Sequence, residues 1–326
     1  MRGLTGRVPE LPADRLAAQF VPPRHFATTA FDSYHPDPEH PSQAAALARV
    51  REVAAQVATP ARRFRRRPAP TALYLDGGFG VGKTHLLAAL CHAVGVERSA
   101  YGTFVEYTHL AGALGFPAAV RELSRRALVC IDEFELDDPG DTVLMARLLR
   151  ELSDAGVTLA ATSNTLPESL GEGRFAADDF RREIHALAER FEVVRIDGPD
   201  YRHRHAPHAA AGLPDDDVRT ALAGVPDAAL DDFTDLLAHL RSVHPVRYGA
   251  LLEGVAVAGL TGVVPLADQA DALRLVVLVD RLYDRDVRVV LGGCGTEGLF
   301  SPAMLRGGYR KKYLRTLSRL AELSAG

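Results

Sequence analysis

A lysine and a threonine that follow a short apolar strand and a run of glycines are the first residues that could do chemistry. The stretch 75–85 is LDGGFGVGKTH, which contains the pattern G-x-x-x-x-G-K-[ST]. Glycines let backbone N–H groups surround phosphates, and the following helix adds the positive end of its dipole. The pattern predicts a nucleoside triphosphate site formed by Gly77, Gly78, Phe79, Gly80, Val81, Gly82, Lys83, Thr84 and His85.

Within this loop, Lys83 is predicted to contact the β- and γ-phosphates, and the Thr84 hydroxyl to bind Mg²⁺. Two acids, Asp132 and Glu133, end the apolar run LVCI (128–131) further along the chain. A carboxylate at the C-terminal edge of a strand faces the crevice where open α/β sheets bind ligands. Asp132 is therefore the candidate Mg²⁺ partner, and Glu133 the candidate group that orients or deprotonates the attacking water.

The pair of acids favours ATP over GTP as the substrate, because GTPases usually lack the second acid. An ordinary acidic turn after a strand is the alternative interpretation. Asn164 closes the apolar run LAATSN and could contact the γ-phosphate or the attacking water, although an asparagine there is also a common turn former. Upstream, Phe31 and Tyr34 could sandwich the adenine or simply pack onto the sheet.

Alternating strands and helices predict the fold class that positions these groups. Continuous apolar runs are typical of strands covered on both faces, and helical patterns at 83–95 and 141–156 separate them. The sequence predicts an α/β core, a doubly wound parallel five-stranded sheet, with strands at 71–76, 103–109, 126–133, 157–164 and 191–197.

The domain organisation follows from changes in composition. We expect an N-terminal segment (1–70), partly helical at 41–57, and then the ATPase core (71–200). Proline, glycine and histidine mark an exposed connection (201–217). A smaller C-terminal α/β region (218–326) follows, with helices predicted at 228–243, 273–285 and 309–324 and strands at 254–260 and 287–293.

Composition narrows the class of protein. The net charge of -4 over 326 residues argues weakly against a dedicated nucleic-acid binder, although ARRFRRR (61–67) could contact a polyanion. The three cysteines have no disulfide or metal spacing, and the histidines of 201–208 lack partners spaced for a metal. Without a signal-like apolar segment or a run long enough to span a membrane, a cytoplasmic protein is expected.

Several stretches resemble a known family. The phosphate loop, CIDEF and ATSN in this order resemble the core of AAA+ ATPases over roughly 70–200. CIDEFELDDPGDTVLMARLL, GVTLAATSNTLPESL, ALRLVVLVDRLYDRDV and YLRTLSRLAEL resemble the ZapE-type cell-division ATPases, whose mitochondrial relatives are the lactation-elevated proteins. The resemblance implies a Mg²⁺-dependent ATP hydrolase that remodels protein partners. The expected client is polymers of the tubulin-like protein FtsZ at the division site. ATP-dependent homo-oligomers and peripheral contact with the inner membrane are also implied.

The resemblance leaves several arginines open. The segment GEGRFAADDFRREI departs from the family pattern, so the arginine acting on a neighbouring subunit stays open: Arg174 is the first candidate, and Arg181 and Arg182 are the alternatives. Arg274 is the candidate phosphate-sensing arginine in cis, or else it forms a local ion pair with Asp271 or Asp280. In the last helix, Arg315, Ser318 and Arg319 form either a solvated face or a contact near the nucleotide.

Two other functions compete with this interpretation. A helicase loader or transposition helper has a similar GVGKTHLLAAL segment, but the net acidity and the C-terminal RTLSRLAEL segment make nucleic acid an unlikely partner. A nucleotide-sensing scaffold without turnover is disfavoured because Glu133 is present.

Overall fold

A computed structural model describes residues 3–9, 16, 18–58, 72–78, 80–134, 139–166, 189–199 and 210–325. The chain forms two compact units. The P-loop unit consists of Pro12–Pro22 and Phe26–Arg204, and the C-terminal unit consists of Met1–Leu11, Pro23–His25 and His205–Gly326. Each unit has its own parallel sheet.

The P-loop unit is built on a five-stranded parallel sheet of order β2-β3-β4-β1-β5, which confirms the predicted doubly wound fold. Its strands are β1 (Ala72–Gly77), β2 (Ser99–Thr103), β3 (Leu128–Asp132), β4 (Thr158–Ser163) and β5 (Glu192–Ile196). Its helices are α1 (Pro41–Ala58), α2 (Lys83–Val94), α3 (Phe104–Leu114), α4 (Phe116–Leu123) and α5 (Pro139–Asp154).

Alternation along the strands divides the core of this unit between two faces of the sheet. On one face, Leu73 and Leu75 of β1 pack with apolar residues of α1 and α2. On the other face, Tyr74 and Phe134 lie in an aromatic cluster with Phe104 and Phe191. Both faces are therefore covered around the inner strands, which explains the continuous apolar runs of β1, β3 and β4.

The predicted strand at 103–109 is wrong. The strand ends at Thr103, and α3 begins at Phe104. The Thr103 hydroxyl accepts the Glu106 N–H at 3.3 Å, and the Glu106 carboxylate accepts the Thr103 N–H at 2.5 Å. This capping box, T-x-x-E, starts a helix where the apolar alternation alone indicated a strand.

The C-terminal unit has a smaller three-stranded parallel sheet of order β6-β7-β8. Its strands are β6 (Ala228–Asp232), β7 (Val257–Thr261) and β8 (Arg288–Leu291). Its helices are α6 (Asp215–Leu222), α7 (Phe233–Ser242), α8 (Tyr248–Leu251), α9 (Gln269–Asp284) and α10 (Arg310–Ser324). The strands β7 and β8 and the helices α9 and α10 lie where the sequence predicted them.

Three boundaries differ from the predictions. The region 228–243 is a strand followed by a helix, because the Asp232 side chain accepts the N–H groups of Thr234 and Asp235 and starts α7 there. Helix α6 begins inside the predicted connection 201–217, at Asp215. Helix α5 begins at Pro139, two residues before the predicted start at 141.

The N-terminal residues belong to the C-terminal unit. Leu4 is buried in the core of that unit, and the buried Asp231 carboxylate accepts the N–H groups of Leu4 at 2.7 Å and Thr5 at 2.8 Å. Arg7 donates to the carbonyl of Leu251 at 2.8 Å. The first residues thus complete a domain whose remainder lies two hundred residues later in the chain.

Helices α9 and α10 are joined through Asp280. Its carboxylate accepts a hydrogen bond from Arg315 at 3.0 Å and another from Arg319. Burial alone would raise the pKa of Asp280, but the two guanidinium groups outweigh burial and hold that pKa below its ordinary value. The structure therefore gives Arg315 and Arg319 a local role, as ion-pair partners of α9.

We expect Asp280→Asn to lower the free energy of unfolding of the C-terminal unit by about 2 kcal/mol at pH 7, because two arginines lose their counter-charge. A fully buried pair would cost more, but 23% of the Asp280 side chain is exposed. Since the folded-state pKa is depressed, this stabilisation is complete above the unfolded value of 3.8 and disappears as the pH falls further. Urea unfolding at pH 7, 5 and 3.5 measures the loss.

The matched control is Glu297→Gln, which changes an exposed acid of the same unit and should leave the free energy of unfolding unchanged. An Asp280→Asn variant as stable as the wild type at pH 7 would contradict the structural role given to this cluster.

Candidate nucleotide site

The phosphate loop connects the end of β1 to the start of α2. Gly80 and Gly82 have φ values of 71° and 89°, the left-handed region that glycine adopts without steric cost. A Cβ atom on Gly82 would also meet the Tyr34 ring at 2.5 Å. Phe79 lies outside the described residues, but the remaining loop residues are arranged as a turn that opens directly into a helix.

Lys83 joins this loop to the end of β4. Its side chain is buried, and its Nζ donates to the carbonyls of Gly77 at 2.8 Å and Gly78 at 2.5 Å and to Asn164 Oδ1 at 2.8 Å. The structure thus brings together two residues that lie far apart in the sequence. An ammonium group and an amide at the mouth of a P-loop can together contact a terminal phosphate.

Asp132 faces Thr84 across the carboxyl edges of the sheet. The Thr84 hydroxyl lies 3.3 Å from Asp132 Oδ1, while Asp132 Oδ2 accepts the Tyr101 hydroxyl at 2.8 Å and Oδ1 also accepts the Thr162 hydroxyl. Burial, and secondarily the charge of Glu133, raise the pKa of Asp132. A nearby cation would oppose both effects, since it favours the ionised carboxylate.

The donor atoms of Thr84 and Asp132 suit a magnesium ion. Mg²⁺ prefers hard oxygen ligands and usually keeps several waters besides one or two protein groups and the phosphates of its substrate. A hydroxyl and one carboxylate therefore form a sufficient protein contribution. In the part of the chain that the structure describes, no three His, Cys, Asp or Glu side chains cluster as a complete metal site.

Glu133 has an unusual backbone. Its φ is +52°, which few residues other than glycine adopt and which is common where function constrains the chain. The Glu133 N–H donates to the Thr162 hydroxyl at 3.1 Å. The backbone therefore turns sharply between the two adjacent acids, so the Glu133 side chain leaves the strand in a direction that strand geometry would not give it.

Tyr34 and His85 connect the N-terminal segment to the loop. Tyr34 is buried and donates to the Val81 carbonyl at 3.1 Å, and its ring centroid lies 5.5 Å from that of His85. His85 also contacts Ser33 Oγ at 3.1 Å, and burial lowers its pKa. The structure thus places Tyr34 as a packing partner of the loop, and its contact with adenine stays a prediction.

The predicted arginines are divided between the two units. Arg174, Arg181 and Arg182 lie outside the described residues. Arg274 belongs to the C-terminal unit, where its guanidinium lies 3.6 Å from the Asp271 carboxylate. This is the local ion pair that the sequence offered as an alternative, and a phosphate-sensing role for Arg274 stays a prediction.

Sequence reasoning missed two residues that hold the site together, Tyr101 and Thr162. Tyr101 was missed because the second strand was predicted at 103–109, whereas β2 spans Ser99–Thr103. Thr162 lies two residues before Asn164, so it was inside a recognised motif, but only the pairing of β4 with β3 and β1 shows that it faces Asp132.

No helix among the described residues is long and apolar enough to cross a membrane.

A model of the AFG1-like ATPase family matches residues 11–224 and 215–326, which together include almost the whole chain. The chain belongs to the AFG1-like ATPase family. The chain is therefore a nucleotide-binding enzyme, an ATP hydrolase.

Two comparisons with individual proteins accompany this match. The cell division protein ZapE of Escherichia coli strain K12 is 28% identical over 262 residues, which is 67% of this chain and 69% of ZapE. The lactation elevated protein 1 homolog B of Danio rerio is 34% identical over 90 residues, which is 27% of this chain and 18% of that protein.

Among solved structures, DnaI is similar at a TM-score of 0.45 and 17% identity, over 57% of this chain and 99% of that one.

Proposed function

We propose that this AFG1-like ATPase hydrolyses ATP with Mg²⁺ to remodel a protein partner during cell division, and that the partner is a polymer of the FtsZ type. The contact between Lys83 and Asn164, beside the Thr84–Asp132 pair, is the observation that supports Mg²⁺-dependent hydrolysis. The similarity to ZapE along two thirds of both chains supports the division partner.

Each side chain at the site has a role in this proposal. Lys83 and the loop N–H groups bind the phosphates, and Thr84 and Asp132 hold Mg²⁺, which supplies positive charge to the β- and γ-phosphates. The oxygen of the attacking water bonds to the γ-phosphorus, and the bond between that phosphorus and the bridging oxygen of the β-phosphate breaks. Glu133 accepts the proton that the water loses. Asn164 orients that water or the γ-phosphate.

The proposal includes a homo-oligomer in which one subunit contributes to the nucleotide site of the next. We assign Arg174, ahead of Arg181 and Arg182, as the arginine that one subunit donates to the γ-phosphate bound by its neighbour. A charge supplied in this way accelerates phosphoryl transfer by orders of magnitude, so hydrolysis would depend on an ATP-dependent homo-oligomer. By similarity to ZapE, we propose that the protein is recruited to the division site at the inner membrane surface.

The client is tested with Glu133→Gln, which is expected to hold ATP without hydrolysing it. FtsZ polymers are sedimented with this variant in ATP or ADP, and single- and double-stranded DNA are tested in parallel. The proposal predicts sedimentation with the polymer in ATP alone, and none for the same variant carrying Lys83→Ala. ATP-dependent DNA retention without polymer binding would instead indicate a helicase-loader type of ATPase.

A further inference from the structure

Thr162 lies between the two acids of the site and contacts both. It is a buried residue of β4, and its hydroxyl donates to Asp132 Oδ1 while accepting the Glu133 N–H at 3.1 Å. The direction of both bonds is fixed by chemistry, because an ionised carboxylate only accepts, an N–H only donates, and a hydroxyl can do both. One oxygen atom thus links the side chain of Asp132 to the backbone of Glu133.

The contact with Asp132 limits the orientation of the carboxylate. Its Oδ1 receives the Thr162 and Thr84 hydroxyls, and its Oδ2 receives the Tyr101 hydroxyl. These donors come from β4, α2 and β2. A carboxylate held from three sides presents its remaining lone pairs in one direction, which is how surrounding hydrogen bonds orient a metal ligand.

The contact with Glu133 acts on the backbone. At a φ of +52° this residue is in a sparsely populated conformation, which persists only where the surroundings over-determine it. The next residue is fixed by the same strand position, since the Phe134 N–H donates to the Thr162 carbonyl at 2.7 Å. Thr162 therefore holds both ends of the turn that sets the direction of the Glu133 side chain.

We propose that Thr162 is a positioning residue that aligns Asp132 toward Mg²⁺ and Glu133 toward the attacking water. The inference rests on the function proposed above and deepens it. Tyr101 differs from Thr162, because its hydroxyl donates to the Asp132 carboxylate, whereas the Thr162 hydroxyl also accepts the Glu133 N–H. Substitutions of Tyr101 and Thr162 can therefore distinguish the alignment of the metal ligand Asp132 from the alignment of the base Glu133.

The alternative is a purely structural role, in which the Thr162 hydroxyl only satisfies buried polar groups. Such a role would change the stability of the fold but not the dependence of nucleotide binding on Mg²⁺. The test therefore measures the equilibrium binding of the fluorescent nucleotide mant-ADP as Mg²⁺ is titrated, and separately kcat at saturating Mg²⁺ and ATP. Thermal unfolding without nucleotide is recorded for every variant.

Thr162→Val is expected to raise the half-saturating Mg²⁺ concentration about tenfold and to lower kcat by about tenfold, the range found when a residue behind a metal ligand is removed. Thr162→Ala should do the same, and Thr162→Ser, which keeps the hydroxyl, should restore both values. Tyr101→Phe should raise the Mg²⁺ requirement by a similar factor but lower kcat less than Thr162→Val does, because Tyr101 donates to Asp132 whereas Thr162 also bonds to the backbone of Glu133.

The inference is overturned if Thr162→Val binds Mg²⁺ and turns over like the wild type, if Thr162→Ser fails to restore both values, or if neither hydroxyl-free variant folds. The Mg²⁺ dependence of ATP hydrolysis by the wild type distinguishes a failure of this inference from a failure of the proposed function. A wild-type chain that hydrolyses ATP without Mg²⁺ would overturn the function itself, whereas a Mg²⁺-dependent wild type with a normal Thr162→Val variant would overturn only the role of Thr162.

Discussion

Glu133→Gln is expected to reduce ATP hydrolysis by at least about a hundredfold while ATP binding is retained. A positioned general base contributes about 10²–10⁴ to a rate, and glutamine keeps the size of the side chain but cannot accept the proton of the attacking water. The backbone of Glu133 should be undisturbed, because its turn is held by the N–H bond to Thr162. Phosphate release and nucleotide affinity, measured on the same preparation, check both halves of the expectation.

The matched control is Glu39→Gln, which makes the same chemical change at an exposed position in the same unit and should hydrolyse ATP at the wild-type rate. If Glu133→Gln also retained the wild-type rate, Glu133 would not be the base. The turn at this position would then be no more than a feature of the strand end.

Lys83→Ala is expected to weaken nucleotide binding by about a hundredfold. The buried ammonium lies at the centre of the loop, and a charge-assisted hydrogen bond to phosphate is worth up to about 3 kcal/mol, which corresponds to about that factor. Alanine also releases Asn164 from its contact with Lys83. Titration with mant-ATP in Mg²⁺ measures the affinity.

Lys312→Ala serves as the control, because it removes a lysine from α10 in the C-terminal unit. We expect its affinity for mant-ATP to equal that of the wild type. A Lys83→Ala variant that still bound mant-ATP as tightly as the control would show that the triphosphate does not occupy this loop.

The sheet could be predicted because its inner strands β1, β3 and β4 are buried on both faces and therefore differ from the helices in apolar pattern. The prediction failed where a polar side chain, and not the pattern, decides the boundary. Thr103 with Glu106 starts α3, and Asp232 starts α7. Both signals are present in the sequence as capping residues, but each was outweighed by apolar residues nearby.

The site could be predicted only where a motif fixes the spacing. The loop containing Lys83 and Thr84 and the acids Asp132 and Glu133 follow from their places at strand ends. Tyr101 and Thr162 could not be found in the same way, because their contacts with Asp132 depend on which strands are neighbours. In the order β2-β3-β4-β1-β5, the strands of Tyr101 and Thr162 lie on either side of β3. The sequence of a single strand does not predict which strands will be its neighbours.

Whether this loop hydrolyses ATP with Mg²⁺ is measured by phosphate release from ATP by the wild type and by Lys83→Ala, each in Mg²⁺ and in EDTA. Subtracting the phosphate released by the Lys83→Ala variant corrects for any contaminating ATPase in the preparation. We expect phosphate release by the wild type in Mg²⁺ and none above background in the other three samples. Equal release by wild type and variant, or undiminished release in EDTA, would contradict the assignment of this site to Mg²⁺-dependent ATP hydrolysis.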